Sequence, residues 1–206
     1  MTDDPHLYDL LDEYDLDNED FGFRAAWCEG LTAEEAVRRL RADPDTAYAS
    51  TIDELMHEEE EGDSDFDEGA VLIGPAGTWT MILQLNGLDC TRYSTLEALS
   101  AGGGRAVGIG WNANGDERLT YAEDGRVLVS MDFTFPEDRS GPDRQALDSY
   151  MEGLALGYEE GADIEESINA ALTLIGRLTG HPIDRDWIEA SHTFYVIPKD
   201  AWALQS

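Results

Sequence analysis

The side chains that invite chemistry in this sequence are carboxylates. Asp63, Asp65 and Asp67 alternate as the first ligands of a calcium loop do. The pattern then breaks, because Glu68 stands where such a loop needs glycine and Gly74 where it needs a bidentate glutamate. Asp15, Asp17 and Glu19 fail in the same way, with Asp20 at the glycine position. Neither run is read as a metal centre, and no cofactor is expected. What the carboxylates supply is charge. The chain holds 45 acidic residues against 13 basic ones, a formal charge of −32. The excess is segmental: nine acids and no base between Met1 and Asp20, and ten more without a base between Asp53 and Glu68. A field of this sign attracts cations and basic protein surfaces and repels free nucleic acid and anionic membrane.

Other chemistries leave little trace. His6, His57, His181 and His192 are scattered, and none falls in a metal-binding spacing. Cys28 and Cys90 form no CxxC pair and carry no local catalytic signature. Two isolated cysteines fit a reducing compartment, so the cytoplasm is expected. There is no GxSxG nucleophile elbow. Gly102-Gly103-Gly104-Arg105 resembles a phosphate loop, but it follows a predicted helix and precedes a strand. That is the reverse of the order that aims backbone donors at a phosphate, so it reads as a helix C-cap. The N-terminus lacks a basic region followed by an apolar run, and no stretch approaches the roughly 18 apolar residues of a membrane span. An enzyme is disfavoured on these grounds.

The elements that must position these residues follow from periodicity. Leu7, Leu10, Leu11 and Tyr14 share one helical face. Phe23, Trp27 and Leu31 also recur at helical spacing. Thr32 to Glu35 is a capping-box pattern opening a helix that ends before Pro44. Ile52, Leu55 and Met56 predict one more turn, and the charges from Glu58 to Glu68 a mobile loop. From Ala70 the pattern becomes sheet. Trp79, Met81, Leu83 and Leu85 alternate with polar residues up to the Asn86-Gly87 turn. Ser94 to Glu97 is a second capping-box pattern. Val107, Ile109 and Trp111 share a strand face whose reverse is Ala106, Gly108 and Gly110. Asp124-Gly125 signals a tight hairpin leading into Val127, Val129, Met131, Phe133 and Phe135. Helices are predicted over about 143–154 and 164–178, a capped turn at Asp184, and a last strand from Thr193 to Ile197. Trp27, Trp79 and Trp111 fall on apolar faces and are expected in the core; Trp202 either docks back or stays exposed.

The fold expected is α+β, an antiparallel meander of about five strands with helices packed on one face. The domain plan is an acidic segment over 1–22, one domain over 23–198 with an acidic loop at 57–69, and a tail over 199–206.

Several local strings recur together: Trp27-Cys28-Glu29-Gly30-Leu31-Thr32, Gly77-Thr78-Trp79-Thr80, Trp111-Asn112, Tyr121 to Gly125, and Arg177-Leu178-Thr179-Gly180. As a set, covering roughly 23–198, they resemble an actinobacterial family of small uncharacterised acidic proteins. The resemblance implies a cytoplasmic single domain and brings no catalytic residues.

The function expected is non-enzymatic: an acidic binding protein that neutralises a basic protein partner, in the manner of an immunity protein or antitoxin. No direct nucleic-acid or membrane partner is expected, and oligomeric state is left open. The residues expected to meet the partner are Asp9, Asp12, Asp15 and Asp17, with Glu58, Glu59, Glu60, Glu61, Asp63, Asp65 and Asp67. The alternatives are a nucleic-acid mimic blocking a DNA- or RNA-binding protein, and an enzyme or small-molecule sensor with its pocket on the sheet.

Overall fold

Every residue from Phe23 to Trp27 is buried, and so is Cys28, which is the signature of a strand covered on both faces. In the computed structural model, which describes residues 6–17, 22–60, 69–112, 117–157 and 164–202, this segment is the central strand β1 (Phe23–Glu29). The helical spacing of Phe23 and Trp27 is therefore corrected. Four residues apart is also two strand repeats, so the same pair shares one face of a strand.

The remaining elements are α1 (Leu7–Glu13), α2 (Ala33–Leu40), β2 (Asp43–Ser50), α3 (Ile52–Glu60), β3 (Ala70–Ala76), β4 (Trp79–Gln84) and a 3-10 turn at Asp89–Thr91. Then follow α4 (Tyr93–Ser100), β5 (Arg105–Trp111), β6 (Arg118–Glu123), β7 (Arg126–Asp132), β8 (Arg139–Ser140), α5 (Asp148–Met151), α6 (Ile164–Thr179), α7 (Arg185–Glu189) and β9 (His192–Val196). The described strands form one antiparallel sheet in the order β2-β9-β3-β4-β1-β5-β6-β7-β8. The α+β class stands, and nine strands replace the expected five. Only β5 to β8 run as a plain meander; β1 lies between β4 and β5, and β9 between β2 and β3.

Helices cover both faces, not one. On the first face Phe23, Ala25, Trp27, Met81, Leu83, Val107, Ile109 and Trp111 meet the apolar sides of α1, α3, α6 and α7. Ile168, Ala171, Leu172, Ile175 and Leu178 of α6 are the buried stripe there, as their spacing predicts. On the second face Ala26, Cys28, Val71, Ile73, Ile82 and Ala106 meet α2 and α4. On β1 and β5 that face is built of small side chains, Ala26, Cys28 and Ala106, which let helices approach closely but give little apolar signal in the sequence.

Local chemistry sets the helix ends. Thr32 Oγ1 accepts from Glu35 N at 3.2 Å and caps α2, while the Glu35 carboxylate turns to Arg38 and Arg39. Those guanidinium groups pull the Glu35 pKa down to about 2. A further capping box, Thr51 with Glu54, opens α3 through hydrogen bonds of 3.2 and 2.9 Å. It carries α3 through Glu60, so the acidic loop expected from residue 57 is helical over its first four residues. The box expected at Ser94 does not form, because α4 starts two residues earlier with Arg92 at its N-cap and no side-chain capping bond. The helix expected over 143–154 shortens to α5. Asp184 caps α7 through a 2.8 Å bond from Trp187 N, as read. Asp124 and Gly125 both take positive φ, 48° and 76°, in the tight hairpin between β6 and β7. Trp27, Trp79 and Trp111 are buried, and Trp202 docks on α2 by donating to Leu40 O at 3.1 Å beneath Arg41. None of the described helices is long and apolar enough to cross a membrane.

Candidate functional site

The two acidic segments arrive on the same face of the sheet. Leu7, Leu10, Leu11 and Leu16 bury the inner side of α1 against the core, and Leu7 N donates to Asn169 Oδ1 of α6 at 2.7 Å. Arg185 of α7 then clasps α1: its guanidinium donates to Glu13 at 2.8 Å and to the Tyr14 hydroxyl at 2.6 Å. Tyr14 in turn donates to Glu189. Ile52 and Leu55 seat α3 in the same core, where α3 also touches α7. The short helix α7 is thus a bridge between the two segments, and it is acidic itself through Asp186 and Glu189.

The expected partner-binding residues fall into four groups. Asp9 and Asp12 are exposed on the outer side of α1, with Asp9 3.2 Å from His6 Nδ1. Asp15 is exposed in the turn after α1, in the left-handed region at φ 53° that Asp tolerates. Asp17 faces inward: its Oδ1 accepts from Trp111 Nε1 at 2.5 Å and lies against Tyr8. Burial and this carboxylate push the Tyr8 phenol well above its usual range. Glu58, Glu59 and Glu60 form the end of α3, and Glu61, Asp63, Asp65 and Asp67 lie outside the described residues. Exposed Asp53 on α3 and Asp186 and Glu189 on α7 join the acidic face and were not singled out from sequence. Asp53 opens the second base-free stretch, whereas only their tertiary neighbourhood marks Asp186 and Glu189.

A different arrangement occupies the second face. Sheet register puts Arg24 of β1 opposite Gly110 of β5, and Gly110 opposite Arg118 of β6. Two arginines therefore flank a glycine in one row across three strands, and the next row places Thr120 beside Gly108. Adjacent strands lie about 4.8 Å apart, so the two arginine Cα atoms straddle a gap of about 10 Å. Arg24 is 5% exposed, and its Nη1 donates to Trp111 O at 3.0 Å and to Phe23 O at 3.3 Å. A Cβ on Gly110 would come within 3.1 Å of Arg24 Cγ, so the glycine gives the arginine stem its bed.

Leu88, Thr91 and Arg92 close the other side, leaving a half-open pocket of about 170 Å³. Gln84 holds this roof in place: its amide accepts from Cys90 N at 2.7 Å and donates to Asn86 O at 2.9 Å. Arg92 is braced by Asp89 at 2.8 Å. The sequence signal for this pocket was the Gly108-x-Gly110 pattern inside a strand, read only as the reverse of an apolar face.

A second cleft, of about 300 Å³, lies at the strand ends beside α7. His192 is buried there, stacked on Trp187 at 4.0 Å, with Nε2 2.7 Å from Trp187 O. A carbonyl can only accept, so Nε2 carries the proton and Nδ1 holds a lone pair turned toward Gly74. Burial lowers the His192 pKa and keeps the ring neutral. Both thiols are buried, with the Cys28 pKa pushed up to about 12 and Cys90 raised further, which makes them inert packing groups. Among the described residues no group of three or more His, Cys, Asp or Glu side chains is gathered to hold a metal ion.

No curated protein and no solved structure matches the chain. The sequence model of one family does, a family of unknown function (DUF6461), over residues 8–200. The chain belongs to that family. The match extends past the span of the local strings at both ends, and it takes in most of α1 as well as the arginine pocket.

Proposed function

We propose that this member of the DUF6461 family is a binding protein whose acidic helical face neutralises a basic protein partner, in the manner of an immunity protein or antitoxin. One observation carries the reading: α1 and α3, drawn from two base-free acidic segments far apart in sequence, are brought to one face and joined through α7. The residues assigned to the contact are Asp9, Asp12, Asp53, Asp186 and Glu189, all exposed. Glu58 to Glu61, Asp63, Asp65 and Asp67 follow Asp53 in the same base-free stretch of sequence and are assigned to the same partner. Asp17 serves the fold, through Trp111.

Carboxylates gathered this way do two things. They accelerate encounter with a cationic surface, raising association from about 10⁵–10⁶ to as much as 10⁸–10⁹ M⁻¹s⁻¹ at low salt. They also occupy the arginine and lysine sites that a nucleic-acid-cleaving effector uses for phosphates. The compartment that suits the reading is an actinobacterial cytoplasm, where the two buried, unpaired cysteines stay reduced.

The test is affinity capture of a partner from host lysate at low ionic strength with the wild-type chain and with an Asp9→Asn/Asp12→Asn/Asp53→Asn/Asp186→Asn variant. All four positions are exposed, so the variant should keep its urea midpoint. The expected result is one basic protein that is retained by the wild type, released by raised salt, and lost by the variant. A partner held equally by both proteins and indifferent to salt refutes the reading.

A further inference from the structure

The arginine pocket on the second face has no part in that reading. A chain with 45 acids and 13 bases has few guanidinium groups to place, yet three of them line one cavity. We propose that this pocket binds a phosphate group.

Three features of the lining favour phosphate. Arg24 and Arg118 stand in the same row as Gly110, on the strands to either side of it, and both line the pocket, so a tetrahedral anion seated over Gly110 lies between two guanidinium-bearing side chains. Arg92 supplies a third guanidinium from the roof, tethered through Nε to Asp89 at 2.8 Å. Thr91 and Thr120 line the same space, the Thr91 hydroxyl donating to Leu88 O at 3.3 Å and the Thr120 hydroxyl sharing a 2.9 Å bond with Ser130. Finally, α4 begins at Tyr93 directly after the lining residue Arg92, with no side chain capping its first turn. Uncapped helix amides carry partial positive charge and suit an anion.

Size sets the ligand class. A cavity of about 170 Å³ accepts a phosphate group with a few waters. It falls below the roughly 300–1,000 Å³ of sites that enclose a whole drug-sized molecule. Anything larger must leave its remainder outside, against Leu88 at the rim, which is 49% exposed. The ligand is therefore either free phosphate or the phosphate end of a small organic monoester, and the two share the same seat.

Isothermal titration of the full chain with inorganic phosphate, with adenosine 5′-monophosphate and with adenosine separates these sources. Binding of phosphate and of the monophosphate with similar affinity identifies free phosphate as sufficient. Tighter binding of the monophosphate identifies a monoester whose organic part uses the rim. In either case adenosine alone should give no heat. Arg92→Gln and Arg118→Gln each remove one donor at a partly or fully exposed position and should weaken binding by about tenfold or more. Gly110→Val, which fills the seat, should abolish it. Urea midpoints taken on each variant ensure that lost binding is read only from folded protein. No binding of phosphate or the monophosphate by wild-type protein overturns the proposal, as does binding that the folded Arg92→Gln/Arg118→Gln double variant retains.

Discussion

Gly74 is the position where one methyl group tests the packing logic of this fold most directly. It lies in the interior of β3, one register step from the Ile73–Thr193 pair and thus across from His192. A Cβ built there would stand 1.9 Å from His192 Nδ1 and 2.6 Å from Cε1. The ring has no easy retreat, because it is stacked on Trp187 at 4.0 Å and bonded to Trp187 O at 2.7 Å. Gly74 does not need a left-handed conformation, so Gly74→Ala carries no backbone strain and tightens the unfolded chain by about 0.4–1 kcal/mol in favour of folding. Against this stand an overpacking cost of about 1–3 kcal/mol and loss of the Trp187 bond, about 0.5–1.5 kcal/mol.

The net expectation is a destabilisation of roughly 2 kcal/mol, set by the larger of these effects. With a urea slope of about 2 kcal/mol per M, the midpoint falls by about 1 M. In a His192→Ala background the obstacle is gone, and the same substitution should be neutral or slightly stabilising. The four-protein cycle should therefore show a coupling of roughly 2 kcal/mol. If Gly74→Ala costs as much without the histidine as with it, the steric reasoning is wrong.

The same histidine gives a pH prediction. Its folded pKa lies below the ordinary 6.5, so the unfolded chain binds the proton more readily. Its contribution is fully present above about pH 6.5 and is lost as pH falls through the folded value, so the wild-type urea midpoint should drop more steeply from pH 7 to 5 than that of His192→Gln. Parallel slopes would show that the ring does not titrate as a buried neutral group. Asp184→Ala removes the cap of α7 and should cost about 1 kcal/mol, read as a lowered urea midpoint. Trp202→Ala loses both the Leu40 bond and the Arg41 stacking, and about 1–2 kcal/mol of stability should go with them. Native protein at neutral pH should leave a thiol-reactive probe unconsumed, and urea-unfolded protein should consume it at both Cys28 and Cys90. Rapid labelling of the folded chain would contradict their burial.

What the sequence disclosed and what it hid divide along physical lines. Strands with one apolar face, such as Trp79 to Leu83 and Val107 to Trp111, announced themselves, and so did the long stripe of α6. β1 did not, because its apolar face carries Ala25 between Phe23 and Trp27, its other face begins with Arg24, and its aromatic pair suited either period. β2 did not, because Asp43 to Ser50 carries little apolar signal; it is an edge strand, Pro44 included, whose pairing is supplied by β9. The second layer of helices stayed hidden because Ala26, Cys28, Ala106 and Gly108 read as weak positions, whereas they are the small surface that α2 and α4 need. The acids were legible as segments, but their meeting through α7 depends on Arg185 reaching Glu13, which no local pattern encodes. The arginine pocket was the least legible of all, since Arg24, Arg92 and Arg118 come together only through strand register.

The placement of β9 bears on how the chain reaches this state. β2 and β3 never touch as neighbours in the sheet; each pairs with a strand made long after both. During synthesis their pairing edges wait while β5 to β8 and α6 are made, and only then can that half of the sheet close. Pairings of such long sequence separation are slow, and waiting edges recruit other chains. The acidic helix α3, inserted between these two strands, places like charge beside those edges while they wait, so its carboxylates would hold nascent copies apart before any partner is met.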